Sequence, residues 1–334
     1  MSVGIGLIGA GGITGGHIRG YLSIPDQVKV VAVADIDEGN ARRRADEAGG
    51  ADVLSDYKEI VKRSDVDAVD ICLPHHLHAD AIVTAADAGK HILCEKPLCL
   101  SMAEADMVQR AVAANGVTLM CAHNQLFMPA VARTRALLDA GTLGRIYELR
   151  TTDSFLNRGL SSPDSMGWRA HLSTAGGGEL IDTGYHPTYL LLHLAGSAPT
   201  QVVAMVSKHR LHFMEGEDSA QVLVRFGNGA VGTIVTSWAY TPAPGTERFS
   251  IVAEKGSLSS DGSTIHYKLH AGDDITISLP EVHNMTEEVV DFVACVRDGK
   301  RPINTEAEGI DVLKVILGAY ESAKTGMIVD LKNL

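Results

Sequence analysis

Short apolar runs alternate with amphipathic stretches over the first third of the chain. Residues 3–8, 28–34, 68–73, 91–94 and 117–122 are nearly continuous runs rich in Val and Ile. Such runs predict strands buried on both faces of a parallel sheet. Between them the spacing predicts helices over 12–22, 38–48, 57–62, 77–88 and 101–115. Ser101 followed by Glu104 has the capping-box form, and Gly116 supplies a stop. Strict alternation of strand and helix predicts an α/β, doubly wound parallel (Rossmann) domain over residues 1–123.

After residue 123 the pattern changes. A helix is predicted over 129–140, ending at Gly141, then a strand over 147–152. Runs alternating in polarity follow at 201–207, 220–226, 230–237, 249–253 and 275–278. Gly227-Asn228-Gly229 joins two of them as a hairpin turn. Helices over 286–297 and 306–323 close the chain. Residues 124–334 therefore predict an α+β domain with a large, mostly antiparallel open sheet. The stretch 155–174 has little regular pattern and reads as a loop over the active site.

Composition narrows the function classes. At about 150 residues per domain, 334 residues make a little over two domains. With 45% apolar and 21% charged residues the chain belongs to the soluble globular class. The net charge, 29 − 41 = −12, offers no basic surface for a nucleic-acid backbone and would be repelled by an anionic membrane. No apolar run is long enough to span a bilayer. The stretch 2–8 has no basic residue before it, unlike a secretion signal. Five cysteines (72, 94, 99, 121 and 295) without CxxC spacing predict reduced, buried thiols and a cytoplasmic protein with no metal site.

Gly9-Ala10-Gly11-Gly12-Ile13-Thr14 follows the first strand and opens the first helix. That context gives the glycines a dinucleotide-binding reading. Gly9 makes the turn, Gly11 admits the pyrophosphate, and the helix N-terminus at Gly12 and Ile13 receives its charge. Asp35 ends the second strand 26 residues after Gly9, where a carboxylate accepts both adenine-ribose hydroxyls. The same charge repels a 2′-phosphate, so NAD is expected over NADP. Arg42-Arg43-Arg44 reads as a solvated helix face, with a phosphate clamp as the alternative.

Three further strings carry chemistry. Glu95-Lys96-Pro97 directly follows a strand, on the side where ligands bind in this fold; Lys96 reads equally as a solvated lysine. In Gly176-Gly177-Gly178-Glu179-Leu180-Ile181-Asp182-Thr183-Gly184-Tyr185-His186, Asp182 and His186 are four apart. On one helix they would share a face, the carboxylate orienting the imidazole. A helix-terminus pair and a metal site are the other readings. Leu73-Pro74-His75-His76-Leu77-His78 reads as a strand-to-helix turn beside the cofactor, or as a metal-binding string.

Taken in order, these strings resemble the glucose–fructose oxidoreductase / inositol dehydrogenase (Gfo/Idh/MocA) family. The resemblance extends through His123-Asn124, Phe127, Pro129, residues 141–144 and Trp168-Arg169. It implies NAD(P)-dependent oxidation of a secondary hydroxyl of a sugar, cyclitol or related polyol to a ketone. It also implies a homodimer or homotetramer assembled through the C-terminal sheet. The family's catalytic lysine, aspartate and histidine map to Lys96, Asp182 and His186. Cofactor contacts are expected from Gly9, Gly11, Gly12, Ile13, Asp35, Leu73, Pro74, His75, His78, Glu95, Lys96 and Asn124. Lys96, His123, Trp168, Arg169, Asp182, Tyr185 and His186 are expected at the substrate, with Arg158 and His171 as weaker candidates. Two positions depart from the family. Leu126 stands where many members carry Arg, and Tyr189 stands where many carry an acid. An NAD-dependent lyase or glycosidase working by transient oxidation, and a non-catalytic dinucleotide sensor, are the alternatives.

Overall fold

The computed structural model describes residues 2–272 and 274–334. The first elements are β1 (Val3–Ile8), α1 (Thr14–Leu22), β2 (Val28–Ala34), α2 (Glu38–Glu47), β3 (Asp52–Leu54) and α3 (Tyr57–Val61). They are followed by β4 (Ala68–Ile71), α4 (His78–Asp87), β5 (His91–Cys94), α5 (Met102–Asn115) and β6 (Leu119–Cys121). Then come α6 (Pro129–Asp139), β7 (Ile146–Ser154) and four short to medium helices: α7 (Pro163–Met166), α8 (Leu172–Ala175), α9 (Glu179–Asp182) and α10 (Tyr185–Ala195). Strands β8 (Pro199–Ser207), β9 (Ser219–Phe226), β10 (Val231–Ser237), β11 (Phe249–Ala253), β12 (Gly256–Ser260), β13 (Thr264–Leu269) and β14 (Asp274–Ser278) follow. Helices α11 (Asn284–Asp298) and α12 (Glu306–Thr325) precede β15 (Val329–Asp330).

The chain divides into two compact units. The first comprises Met1–Asn124 and His283–Ile310; the second comprises Gln125–Val282 and Asp311–Leu334. The return of 283–310 to the first unit differs from the single C-terminal block expected from sequence. Its cause lies on α1. Gly16 and Gly20 leave a shallow face, and Met285 and Val289 of α11 come up against it.

The first unit holds a parallel six-stranded sheet in the order β3-β2-β1-β4-β5-β6. This is the doubly wound order, in which ligands bind beyond the carboxyl ends of the strands at the β1/β4 reversal. Every residue of β1 is buried, as a strand covered on both faces must be. The oxygen of Ser101 accepts the Glu104 N–H, Glu104 takes the Leu100 N–H, and α5 stops at left-handed Gly116.

The second unit is built on a nine-stranded sheet, β14-β13-β12-β11-β7-β10-β9-β8-β15. Its described pairings are antiparallel except β7 with β10. Helix α10 packs across β7 and β10, and Thr151 of β7 donates to the Pro187 carbonyl at 2.9 Å. On the covered face Val222, Val224, Ile234, Leu149, Ile251 and Leu258 are buried. The register places Met205, Leu223, Val231 and Val252 on the opposite face, where Met205 is 82% exposed. The segment expected to be an irregular loop is folded instead. Helix α7, the turn Gly167–Ala170 and α8 are anchored by a cluster of Met166, Ala170, Leu211, Met214 and Trp238.

Candidate cofactor and active site

The glycine loop is shaped by sterics. Gly9 has φ +97°, and a side chain there would meet the Cys72 carbonyl oxygen at 2.4 Å. Gly11 and Gly12, by contrast, are exposed and face open space. Thr14, where the third glycine of the fingerprint is usual, is fully buried and closes the loop by donating to the Gly9 carbonyl at 2.9 Å. One oxygen of Asp35 accepts the Ala10 N–H at 2.7 Å and the other the Asp37 N–H at 2.8 Å. Four acceptor positions on an ionised carboxylate leave two for a ligand. This is a cradle that fits a dinucleotide: bare backbone at the helix N-terminus for the pyrophosphate, and a prepared carboxylate for the ribose.

Arg44 departs from the reading of a solvated face. Arg42 and Arg43 are exposed and bond Glu38 and Asn40. Arg44 is buried, and its Nη2 donates to the Gly11 carbonyl at 2.8 Å and more weakly to that of Gly12. It is a strut beneath the loop. The alternative of a phosphate clamp fails for the same reason: the guanidinium is turned to backbone carbonyls.

The histidine string forms the expected strand-to-helix turn, from β4 into α4. His78 is fully buried, with Nδ1 2.7 Å from the Pro97 carbonyl and Nε2 2.8 Å from the Leu73 carbonyl. Both nitrogens face backbone, so the ring ties the Leu73-Pro74 turn to the Lys96-Pro97 segment. Burial holds its pKa below the ordinary range. His75 is also buried, with its ring edge-on to His78. Glu95 faces inward too, one oxygen toward His17 Nε2 at 3.1 Å and the other accepting the Lys96 N–H at 3.1 Å. Leu73, Pro74 and Lys96 are half-buried. Asn124 opens a 3₁₀ turn, and His123 just before it is buried.

In the second unit the glycine-rich string is a close-packing device. A side chain at Gly178 would lie 2.0 Å from the Glu217 carbonyl oxygen. Glu217 accepts the N–H groups of Gly178 and Leu180 at 3.2 and 2.9 Å and the Tyr320 hydroxyl at 3.0 Å. Glu179 is fully buried and accepts the Thr236 hydroxyl at 2.5 Å; burial pushes its pKa well up. These contacts fix α9, whose last residue is Asp182. The Asp182 carboxylate accepts Arg169 Nε at 2.6 Å, and the Arg169 guanidinium lies over the Trp168 ring at 4.2 Å.

Asp182 and His186 lie on successive helices, α9 and α10, not on one. Pro187 is tolerated in the first turn of α10. The imidazole Nδ1 of His186 is 2.8 Å from the Tyr189 hydroxyl, which also accepts the Gln125 N–H at 3.0 Å. The orienting partner seen for the ring is thus Tyr189, at the position where the family often carries an acid. Tyr185 is buried edge-on to Tyr189. His171 is exposed and faces Glu215 at 3.3 Å, and Arg158 is exposed.

A model of an oxidoreductase family with an NAD-binding Rossmann fold matches residues 3–123, and a model of the GFO/IDH/MocA C-terminal domain matches 131–259. The chain is 32% identical to levoglucosan dehydrogenase of Pseudarthrobacter phenanthrenivorans, over 70% of this chain and 67% of that protein. The chain belongs to the Gfo/Idh/MocA oxidoreductase family. It is also 29% identical to scyllo-inositol 2-dehydrogenase (NAD(+)) of Bacillus subtilis, over 97% of this chain and 95% of that protein. A solved structure of levoglucosan dehydrogenase in complex with NADH and levoglucosan superposes with a TM-score of 0.90 at 26% identity, covering 99% of this chain and all of that one. The protein is therefore an NAD-binding oxidoreductase of the sugar and inositol dehydrogenase type. Among the described residues no helix is long and apolar enough to cross a membrane.

Sequence reasoning missed the buried roles of Arg44 and His17 in the first unit and of Glu179 and Glu217 in the second. An ionisable residue inside an otherwise small or apolar run was the available signal for His17 and Glu179; Glu217 stands in an acidic run and gave none. The same reasoning passed over Ile36, which is 98% exposed next to Asp35, an apolar surface beside the ribose carboxylate.

Proposed function

We propose that this enzyme oxidises a secondary hydroxyl of a sugar, cyclitol or related polyol to a ketone, using NAD in preference to NADP. The observation that carries the cofactor reading is Asp35. Its two oxygens are set by the Ala10 and Asp37 N–H groups, and Arg44 of the following helix is committed to the loop carbonyls and to Glu47. A 2′-phosphate would meet a carboxylate there without a compensating cation from that residue. NAD, when bound, supplies the two-electron acceptor; Gly9, Gly11, Gly12, Ile13, Asp35, Leu73 and Pro74 would hold it.

The chain's own groups supply the proton chemistry. Lys96, its main chain held by Glu95, places an ammonium to stabilise developing alkoxide charge. His186, its ring set by Tyr189, takes the hydroxyl proton; such transfer is worth about 10²–10⁴ in rate. Asp182, anchored by Arg169, supplies fixed negative charge to the same chemistry. Trp168 and Arg169 are assigned to substrate recognition; His123 and Tyr185, expected there as well, are buried and would act from behind them. The exposed apolar side chains on the open sheet face support assembly as a homodimer or homotetramer. Five free, buried cysteines support a reducing compartment such as the cytoplasm.

The test is a panel of aldoses, inositols and anhydrosugars with NAD⁺ and NADP⁺, read as reduced cofactor. Lys96→Ala and His186→Ala should each lower turnover by about 10² or more while NADH still binds. Near-normal turnover in both variants would remove the assignment. Substrate conversion without net cofactor reduction would instead indicate transient oxidation.

A further inference from the structure

Behind the glycine loop lies a set of buried ionisable groups that the proposed reaction does not use. His17 of α1 is fully buried. Its Nδ1 faces the two Asp70 oxygens at 3.1 and 2.9 Å, and its Nε2 faces Glu95 Oε1 at 3.1 Å. An ionised carboxylate only accepts hydrogen bonds, so both contacts call for a proton on each ring nitrogen. Asp70 also accepts the Tyr21 hydroxyl at 3.0 Å and the Cys72 thiol at 3.5 Å. The second Glu95 oxygen is held by the Lys96 N–H.

The remaining acid is Glu288 of α11. Both its carboxyl oxygens are buried without a hydrogen-bond partner, and burial pushes its pKa well up, so it stays neutral. The groups facing His17 are therefore Asp70 and Cys72 from β4 and the residues after it, Tyr21 from its own helix, Glu95 after β5, and Glu288 from α11. On His17 burial pulls the pKa down, and Asp70 and Cys72 together push it up by more, leaving it well above the ordinary value. The Cys72 thiol, pushed up to about 12 by burial, stays protonated. The ligand atoms of His17, Asp70 and Cys72 lie within 4.8 Å of one another, and His17 Nδ1 is engaged by the Asp70 carboxylate.

We propose that His17 is a positioning residue: a buried imidazolium that clamps Glu95, and through it the Lys96 main chain, to the helix that opens at the dinucleotide loop. Nucleotide loop and reactive lysine are then parts of one ion-paired frame. The kinetic consequence rests on the role given to Lys96 above, whereas the clamp itself does not.

The test uses the full-length protein. With ¹⁵N-labelled histidine, the His17 ring, identified by its loss in His17→Gln, should show both nitrogens protonated at about pH 8, where an ordinary histidine is neutral. An unprotonated ring nitrogen there overturns the proposal. Separately, lysines are ¹³C-methylated and the Lys96 signal is identified by its loss in Lys96→Arg. His17→Gln should move that signal. Glu95→Gln, which keeps the side-chain shape, should move it as well and carries the test if His17→Gln fails to fold. A Lys96 signal unmoved in the folded variants overturns the proposal. With a substrate from the panel, turnover should fall by about 10–10² with little change in the KM for NAD. A moved signal with full turnover would keep the clamp and remove the catalytic role of Lys96, so the two readings fail separately.

Discussion

Replacing Arg44 by Met should loosen the nucleotide loop by an amount the structure lets us size. The guanidinium makes one short bond to the loop, Nη2 to the Gly11 carbonyl at 2.8 Å, two longer ones at 3.2 and 3.3 Å to Gly11 and Gly12, and an ion pair from Nη1 to Glu47, whose 41% exposure lets water replace much of it. Hydrogen bonds to charged donors are worth about 1.5–3 kcal/mol each. Gly11 and Gly12 are exposed, so water can replace part of the loss, and about one full bond remains. Met keeps the buried stem. The expected cost is therefore about 1.5–3 kcal/mol, or a melting point lower by about 2–4 °C at the usual size scaling. NADH affinity should weaken as well, because the loop carbonyls lose their anchor. Gly15 provides the control. A Cβ there would lie 2.4 Å from Arg44 Nη1, so Gly15→Ala should be costly in the wild type. In the Arg44→Met background it should be mild, or stabilising by up to about 1 kcal/mol from helix propensity. Urea melts of the four proteins, with NADH titrated by fluorescence, close the cycle. An Arg44→Met protein within about 0.5 kcal/mol of wild type, with unchanged NADH affinity and additive Gly15→Ala, would refute the strut.

Three further outcomes are expected. Tyr189→Phe leaves the Gln125 N–H and His186 Nδ1 without the shared hydroxyl. It should cost about 1–3 kcal/mol of stability and lower turnover while NADH binding stays intact; equal turnover would show that the phenol does not orient the ring. Asp35→Ser should weaken NAD binding and shift preference toward NADP, read as the ratio of the two dissociation constants, and an unchanged ratio would count against the ribose role. Above pH 6.5, where the lowered pKa values of His78 and His91 no longer add stability with rising pH, stability should decline as pH rises. The raised folded-state pKa of His17 contributes stability that is complete below pH 6.5 and is lost on passing upward through that raised value. The buried neutral acids Glu179 and Glu288 act in the same sense from 4.5 upward. Urea titrations across pH should show this slope, flattened above pH 6.5 in His17→Gln, and a wild-type curve climbing over that range would contradict it.

Much of this was legible along the chain because burial leaves a period. β1, β2 and β5 were bounded to the residue by continuous apolar runs, and β9 and β10 to within one residue at their starts by alternation. β3 is three residues long at a sheet edge, too short to leave a pattern. β12 and β13 carry Ser, His and Lys; their pairing with neighbours sets their conformation, and only every second side chain needs to be apolar. Within the proposed site, the glycine loop and Asp35 were nameable because local chemistry marks them, and Lys96, Asp182 and His186 through the family resemblance. The partners that hold them were not. Arg44 reaches back 33 residues to Gly11, His17 reaches 78 residues to Glu95, and Tyr189 reaches 64 to Gln125. Such pairings are set by the fold and leave no spacing signal.

The packing of α11 on α1 has a consequence for biosynthesis. A nascent chain emerging from the ribosome would have made every strand of its nucleotide-binding sheet long before Met285 and Val289 arrive to cover Gly16 and Gly20. Until then that helix flank and its charged interior stand open to water. A fragment ending at Asn124 should consequently be a poor trap for the dinucleotide, and competence to bind it should come only near the end of translation.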